Sequence, residues 1–209
     1  MIERATIHPS PRLSALAFTD GSKAGWVSSD LANWTREHLI APGRLHVCDV
    51  SVHKVFEHGF SNLSVQRSRS GAHALNVRTT SEVPTLVAAA RDRVLQALRT
   101  TVRTGETGFV NAALYEGRVS RERGPDGKCL WRPFVSENDA LSDQVLALFA
   151  ADALCFPSDY ERCIAVCDMC GTVSFLHNAL SRHGCASHPY GSFDGKPADS
   201  TPARVYSRA

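Results

Sequence analysis

The sequence predicts an α+β fold on three observations: a long stretch of helical apolar spacing after Pro84, several short runs with strand-like alternation, and Gly/Pro/Asp clusters that punctuate them. With 209 residues, 43% hydrophobic and 21% charged, the chain can bury a sizeable core and lies far from the composition of disordered segments. Its 23 basic and 21 acidic residues give a net charge of +2, too balanced for charge alone to name nucleic acid as a partner.

Taken in order, Leu13, Ala15 and Ala17 alternate within Arg12 to Phe18, which reads as a short strand closed by Asp20-Gly21-Ser22. Ser28 or Ser29 is the N-cap of a short helix that places Leu31, Trp34, Leu39 and Ile40 at helical spacing until Pro42-Gly43 stops it. Two β-like runs follow, Leu45 to Val50 and Leu63 to Val77, the second broken at Ser68 to Gly71; the two are candidates for pairing.

From Pro84 onward Leu86, Val87, Ala90, Val94, Leu95, Leu98 and Val102 form one apolar stripe, and Gly105 sits where a C-cap belongs. Arg91, Arg99 and Arg103 lie off that stripe; a solvated face is their ordinary reading and phosphate contact the functional one. Residues 114–119 and 129–134 flank Gly124-Pro125-Asp126-Gly127, a turn sequence, and so read as a hairpin with Pro133 near the end of its second strand. Ser136 is the expected cap of a second buried helix carrying Leu141, Val145, Leu148 and Phe149 and ending before Pro157.

The chemistry concentrates after that helix. Of seven cysteines, four fall within residues 163–185, and two ligand pairs stand out, Cys167-x2-Cys170 and Cys185-x2-His188. A tight turn lets both thiolates of a Cys-x2-Cys pair face one ion, and Gly171 follows directly. Three thiolates and an imidazole suit zinc, and four protein ligands leave no open position for a reacting water, so the site reads as structural Zn2+. Buried thiols beside a surface histidine are the competing reading, which a lone Cys-x2-Cys would leave open and the second pair displaces. His183 and Cys163 are alternative ligands, and His177 reads as a surface residue of the connecting segment. Val173 and Phe175 alternate after the first pair as one short strand. The organisation is therefore an α+β main domain over 1–158, a treble-clef-like or ribbon-like zinc module over 159–191, and a flexible tail over 192–209.

Ala151-Asp152-Ala153-Leu154, then Asp159-Tyr160-Glu161-Arg162-Cys163, then Cys167-x2-Cys170-Gly171 with Phe175, then Arg182 before Cys185-Ala186-Ser187-His188, together resemble the C-terminal part of CGNR-type zinc-finger proteins. Those are bacterial transcription regulators with an ABATE domain ahead of the finger. The resemblance covers about the last third of the chain and implies a DNA-binding regulator in the cytoplasm. It departs at the fourth ligand, usually a cysteine followed by Gly-Asn-Arg in that family, whereas His188 is followed by Pro189-Tyr190-Gly191. That leaves Arg182 as the finger's fixed cation, beside Arg91, Arg99 and Arg103 as candidate nucleic-acid contacts.

No His-x-Glu, Gly-x-Ser-x-Gly, Gly-x4-Gly-Lys-Ser/Thr, Gly-x-Gly-x2-Gly or His-Glu-x2-His occurs, so no enzyme class has positive support. His46, His53, His58 and His73 share one region and read as surface histidines rather than a second metal site. The N-terminus lacks a basic stretch followed by an apolar run, and no segment has the length of apolar residues a bilayer span needs; the expectation is a cytosolic protein with no membrane contact. A zinc-stabilised interaction protein, such as an inhibitor or immunity factor, is the alternative to a DNA-binding regulator, and a small enzyme built from scattered side chains is the third reading.

Overall fold

The computed structural model describes residues 8–20, 25–46, 53–55, 63–67, 73–77, 83–123, 129–136, 139–175 and 183–188. It is mixed helix and small sheets, as expected: helices α1 (Pro11–Thr19), α2 (Ser28–Thr35), α3 (Val83–Thr104), α4 (Gly108–Tyr115), α5 (Leu141–Cys155) and α6 (Pro157–Arg162), with nine short strands among the described residues. The strands are β1 (Leu45–His46), β2 (His53–Val55), β3 (Leu63–Arg67), β4 (His73–Val77), β5 (Val119–Arg123), β6 (Cys129–Pro133), β7 (Val135–Ser136), β8 (Ile164–Val166) and β9 (Val173–Phe175). Among the described residues no helix is long and apolar enough to cross a membrane.

The core is organised around α5. Its Leu141, Val145, Ala147, Leu148, Phe149, Ala150, Ala151 and Ala153 are all buried, as are its polar Ser142, Gln144 and Asp152, the pattern of an element enclosed by others. The alanines let α1, α3 and α4 pack closely against it. α3 buries Val83, Val87, Ala90, Val94, Leu98 and Val102 on one face and ends at Gly105, whose φ of 74° is the left-handed C-cap conformation that glycine adopts without a Cβ penalty. Phe18, Trp26 and Trp34 form an aromatic cluster with ring centroids 5.1 to 6.3 Å apart.

Residues 11–19 are a helix, not the strand that alternation suggests. Ser10 accepts a hydrogen bond from the Leu13 amide, and Pro11 occupies the first turn, where its missing N–H costs nothing. The residues buried are Ser14, Ala15, Phe18 and Thr19, at helical spacing, while Leu13 of the apparent alternation is 58% exposed. The second helix runs as α2 and a π-helical turn, Arg36–Ile40, before Pro42-Gly43. Its N-cap is Val27, whose amide donates to the Asp30 carboxylate at 2.9 Å, rather than Ser28 or Ser29.

Among the described residues the two β-like runs do not pair with each other. β1 pairs in parallel with β7, Leu45 opposite Val135, whereas β3 lies between β2 and β4 in an antiparallel sheet. The hairpin β5–β6 is present, but residues 114 and 115 belong to α4 instead of its first strand. Ser136 lies in β7, and α5 starts after Ala140; the Gln144 side chain reaches back from α5 to donate to the Ser136 and Asp139 carbonyls. Residues 47–50 and the turn 124–127 lie outside the described residues, as do the side chains of His46, His53, His58 and His73.

Candidate metal centre

β8 and β9 form an antiparallel hairpin, Ile164 opposite Phe175 and Val166 opposite Val173. All three β8 residues are buried, and Ile164, Val166 and Val173 join the same apolar cluster as α3 and α5. The hairpin is thereby fixed to the body of the protein, and its tip carries the first ligand pair. The Cys167 amide donates to the Thr172 carbonyl at 2.9 Å, and the Gly171 amide to the Cys167 carbonyl at 2.9 Å. Gly171 takes a φ of 70° to close this turn, and a Cβ there would stand 2.7 Å from Leu95 Cδ1 of α3.

The second pair sits on its own turn. The Cys185 amide donates to the His188 carbonyl at 3.0 Å and the His188 amide returns to Cys185 at 3.1 Å, folding Ala186-Ser187 into a tight reversal. The two turns share a motif: the Cys167 sulfur accepts from the amides of Met169 and Cys170, and the Cys185 sulfur from those of Ser187 and His188. The Asp168 amide, donating to the His183 carbonyl at 3.1 Å, ties one turn to the other.

Cys167, Cys170, Cys185 and His188 converge, with their ligand atoms all within 4.8 Å of one another. Cys170 Sγ and Cys185 Sγ are 3.6 Å apart, and Cys185 Sγ is 3.5 Å from His188 Nδ1. A tetrahedral ion bonded to sulfur at about 2.3 Å and to nitrogen at about 2.0 Å needs edges of about 3.8 Å and about 3.5 Å. These residues therefore fit a metal ion in chemistry and in spacing. His183 is not in the group; its ring faces the Asp168 carboxylate at 3.4 Å. Cys163 is not in it either, and ends α6, donating its amide to the Asp159 carbonyl. His177 and Arg182 lie outside the described residues.

The thiols differ in their readiness to ionise. Burial pushes the Cys167 thiol up and opposes ionisation of Cys170 too, but the Thr172 hydroxyl, 3.0 Å from Cys170 Sγ, and the Thr172 amide outweigh it and bring Cys170 down to about 6. At Cys185 desolvation is likewise overcome by the hydrogen bond with His188, which lowers the thiol and raises the imidazole. Such a set is poised to exchange protons for a cation.

A scan against family models and a search of curated proteins returned no match. The centre therefore stands on its own geometry.

The arginines of α3 divide. Arg91 turns inward, donating from Nε to the Phe18 carbonyl at 2.8 Å and lying 5.1 Å from the Trp26 ring centroid. Arg99 lies beside the metal turn, 3.4 Å from the Cys167 carbonyl and 3.9 Å from the Asp168 carboxylate. Arg103 is exposed in the last turn of α3. Missed in the sequence was Arg12, which holds the hairpin from below: its guanidinium lies 2.7 Å from Asp152, 2.6 Å from Asp159 and 4.2 Å from the Phe175 ring centroid. Ser10-Pro11, the helix-start signature that fixes α1, was the available signal.

Proposed function

We propose that Cys167, Cys170, Cys185 and His188 hold one structural zinc ion in a ribbon-like module, and that the chain is a regulatory protein contacting DNA through this module and α3. The closed ligand set carries the reading. Three sulfurs and one nitrogen at tetrahedral spacing favour zinc over harder cations and leave no site for an activated water, so the ion would fold the C-terminal segment rather than catalyse. Support for DNA comes from the resemblance of residues 151–188 to CGNR-type fingers and from two arginines of α3, Arg99 beside the module and Arg103 exposed in the helix's last turn.

Elemental analysis of the purified chain tests the first half, with one zinc per chain expected. Fluorescence anisotropy with duplex DNA tests the second: retention at low salt that falls steeply with added salt is expected, because phosphate contacts release counterions. No retention at low salt sinks the DNA reading and leaves the zinc reading standing.

A zinc-stabilised protein-interaction role is the second reading, with an inhibitor or immunity factor as its concrete form. It is favoured by the engagement of Arg91 and Arg99 with the protein's own backbone and by the 93% exposure of Tyr115 next to Leu114. It predicts recovery of one stoichiometric protein partner on the wild-type chain and its loss on Tyr115→Ala; recovery unaffected by that change counts against it.

A further inference from the structure

A cavity of about 330 Å3, remote from the metal centre in composition, opens between residues 8–11 ahead of and at the start of α1, β6, and the last turn of α5. Trp131, Pro133, Ala151 and Phe156 give it an apolar wall, and Arg44 and Arg132 lie on its lining. The size is at the small end of the range for pockets that enclose small molecules, about 300 to 1,000 Å3.

Its polar side is unbalanced. Arg44 is only 8% exposed, yet its guanidinium donates to the Ser14 hydroxyl at 2.9 Å, the His38 carbonyl at 3.0 Å and the Pro9 carbonyl at 2.6 Å, all uncharged oxygens. Among the described residues no carboxylate pairs with it. Desolvation, aided by repulsion from Arg132, brings its pKa down to about 10. Asp152, the acid on the cavity lining, is already held by Arg12 at 2.7 Å and by the Tyr160 hydroxyl at 3.0 Å. Arg132 faces Glu122 at 3.0 Å, but both side chains are more than half exposed, so solvent screens that pair. A buried cation answered only by neutral acceptors is costly, and an incoming anion would relieve it. A bare anion would leave the apolar wall unfilled.

We propose that this cavity binds a small carboxylic acid with a compact apolar body, its carboxylate toward Arg44 and Arg132 and its body against Trp131 and Phe156. The fit is to a monoanion, since one uncompensated buried charge sits among apolar groups. The proposal is independent of the metal and of any DNA contact.

Calorimetric titration of the full chain with benzoate, phenylacetate and octanoate tests it, with phenylacetamide and inorganic phosphate as controls. Saturable binding of at least one acid is expected, about tenfold or more tighter than either control. Arg132→Gln, at an exposed position, should weaken the acid and leave the amide unchanged, and Cys155→Phe, which fills the cavity from the end of α5, should abolish binding; circular dichroism verifies that both remain folded. Absence of saturable binding by all three acids overturns the proposal. So does equal binding of phenylacetate and phenylacetamide, competition by phosphate at the acid's own concentration, or unchanged affinity in both folded variants.

Discussion

The guanidinium carbon of Arg12 stands 4.2 Å from the centroid of the Phe175 ring, so the first helix holds the hairpin that carries Cys167 and Cys170, the first candidate ligand pair. Burial opposes the charge of Arg12, but the Asp152 and Asp159 carboxylates outweigh it and keep its pKa above the ordinary arginine value. Asp152 is 4% exposed and also accepts from Tyr160, so removing Arg12 strands a buried carboxylate. Arg12→Ala should cost about 3 kcal/mol in denaturant unfolding, and Asp152→Asn in the same background should recover part of it. A loss below about 1 kcal/mol would show the pair to be no more than a surface contact.

Cys170→Ser and Cys185→Ser should each take the metal content from one zinc per chain to near none, whereas Cys163→Ser should leave it unchanged. Because Ile164, Val166 and Val173 belong to the main core, chelation should expose amides around 167–172 and 183–188 to hydrogen exchange while α5 stays protected. Loss of protection in α5 on chelation would contradict that.

Acid should release the metal. Zinc needs thiolates and a neutral imidazole, so protons compete and affinity falls with pH. Burial raises Cys167 and the hydrogen bond with Cys185 raises His188, so both bind protons more readily than their ordinary values imply, and below about 6 Cys170 competes as well. In the metal-free protein the depressed Cys170 value stabilises the fold at a pH above the ordinary thiol value of 9.0, and this contribution is lost as pH falls toward about 6. A zinc indicator dye should report steepening release on acidification from neutrality; retention independent of pH would refute it.

Gly171→Ala should destabilise the protein by about 1 to 3 kcal/mol, since its backbone lies at positive φ and the new methyl meets Leu95. Leu95→Ala should remove the contact but not the backbone strain. The double variant therefore separates the two: a Gly171→Ala penalty that disappears entirely beside Leu95→Ala would mean the turn itself tolerates a side chain.

Legibility in the sequence followed how local each signal is. The stripe of α3 and its Gly105 cap repeat within a single element, and the Cys-x2-Cys and Cys-x2-His spacings are local as well. Among the described residues His188 is the histidine that converges with the cysteines, because reciprocal backbone bonds between Cys185 and His188 place that imidazole beside the sulfur, while His183 faces Asp168. α1 misled because Leu13, Ala15 and Ala17 imitate a strand, though Ser10-Pro11 announced a helix. α4 was hidden because Gly108–Tyr115 has no side-chain cap to mark its start. Nothing in the sequence flags Arg44, whose surroundings come from stretches far apart along the chain.

Among the described residues Leu45 meets Val135 through a parallel pairing of two residues on each side, with β2 to β4, α3, α4 and the β5–β6 hairpin strung between them. Closing a gap of that length costs more loop entropy than closing the local hairpins, so the rung should form late and tear early. Under tension or brief heating, this seam rather than the cysteine-bearing tip is where the molecule would begin to open.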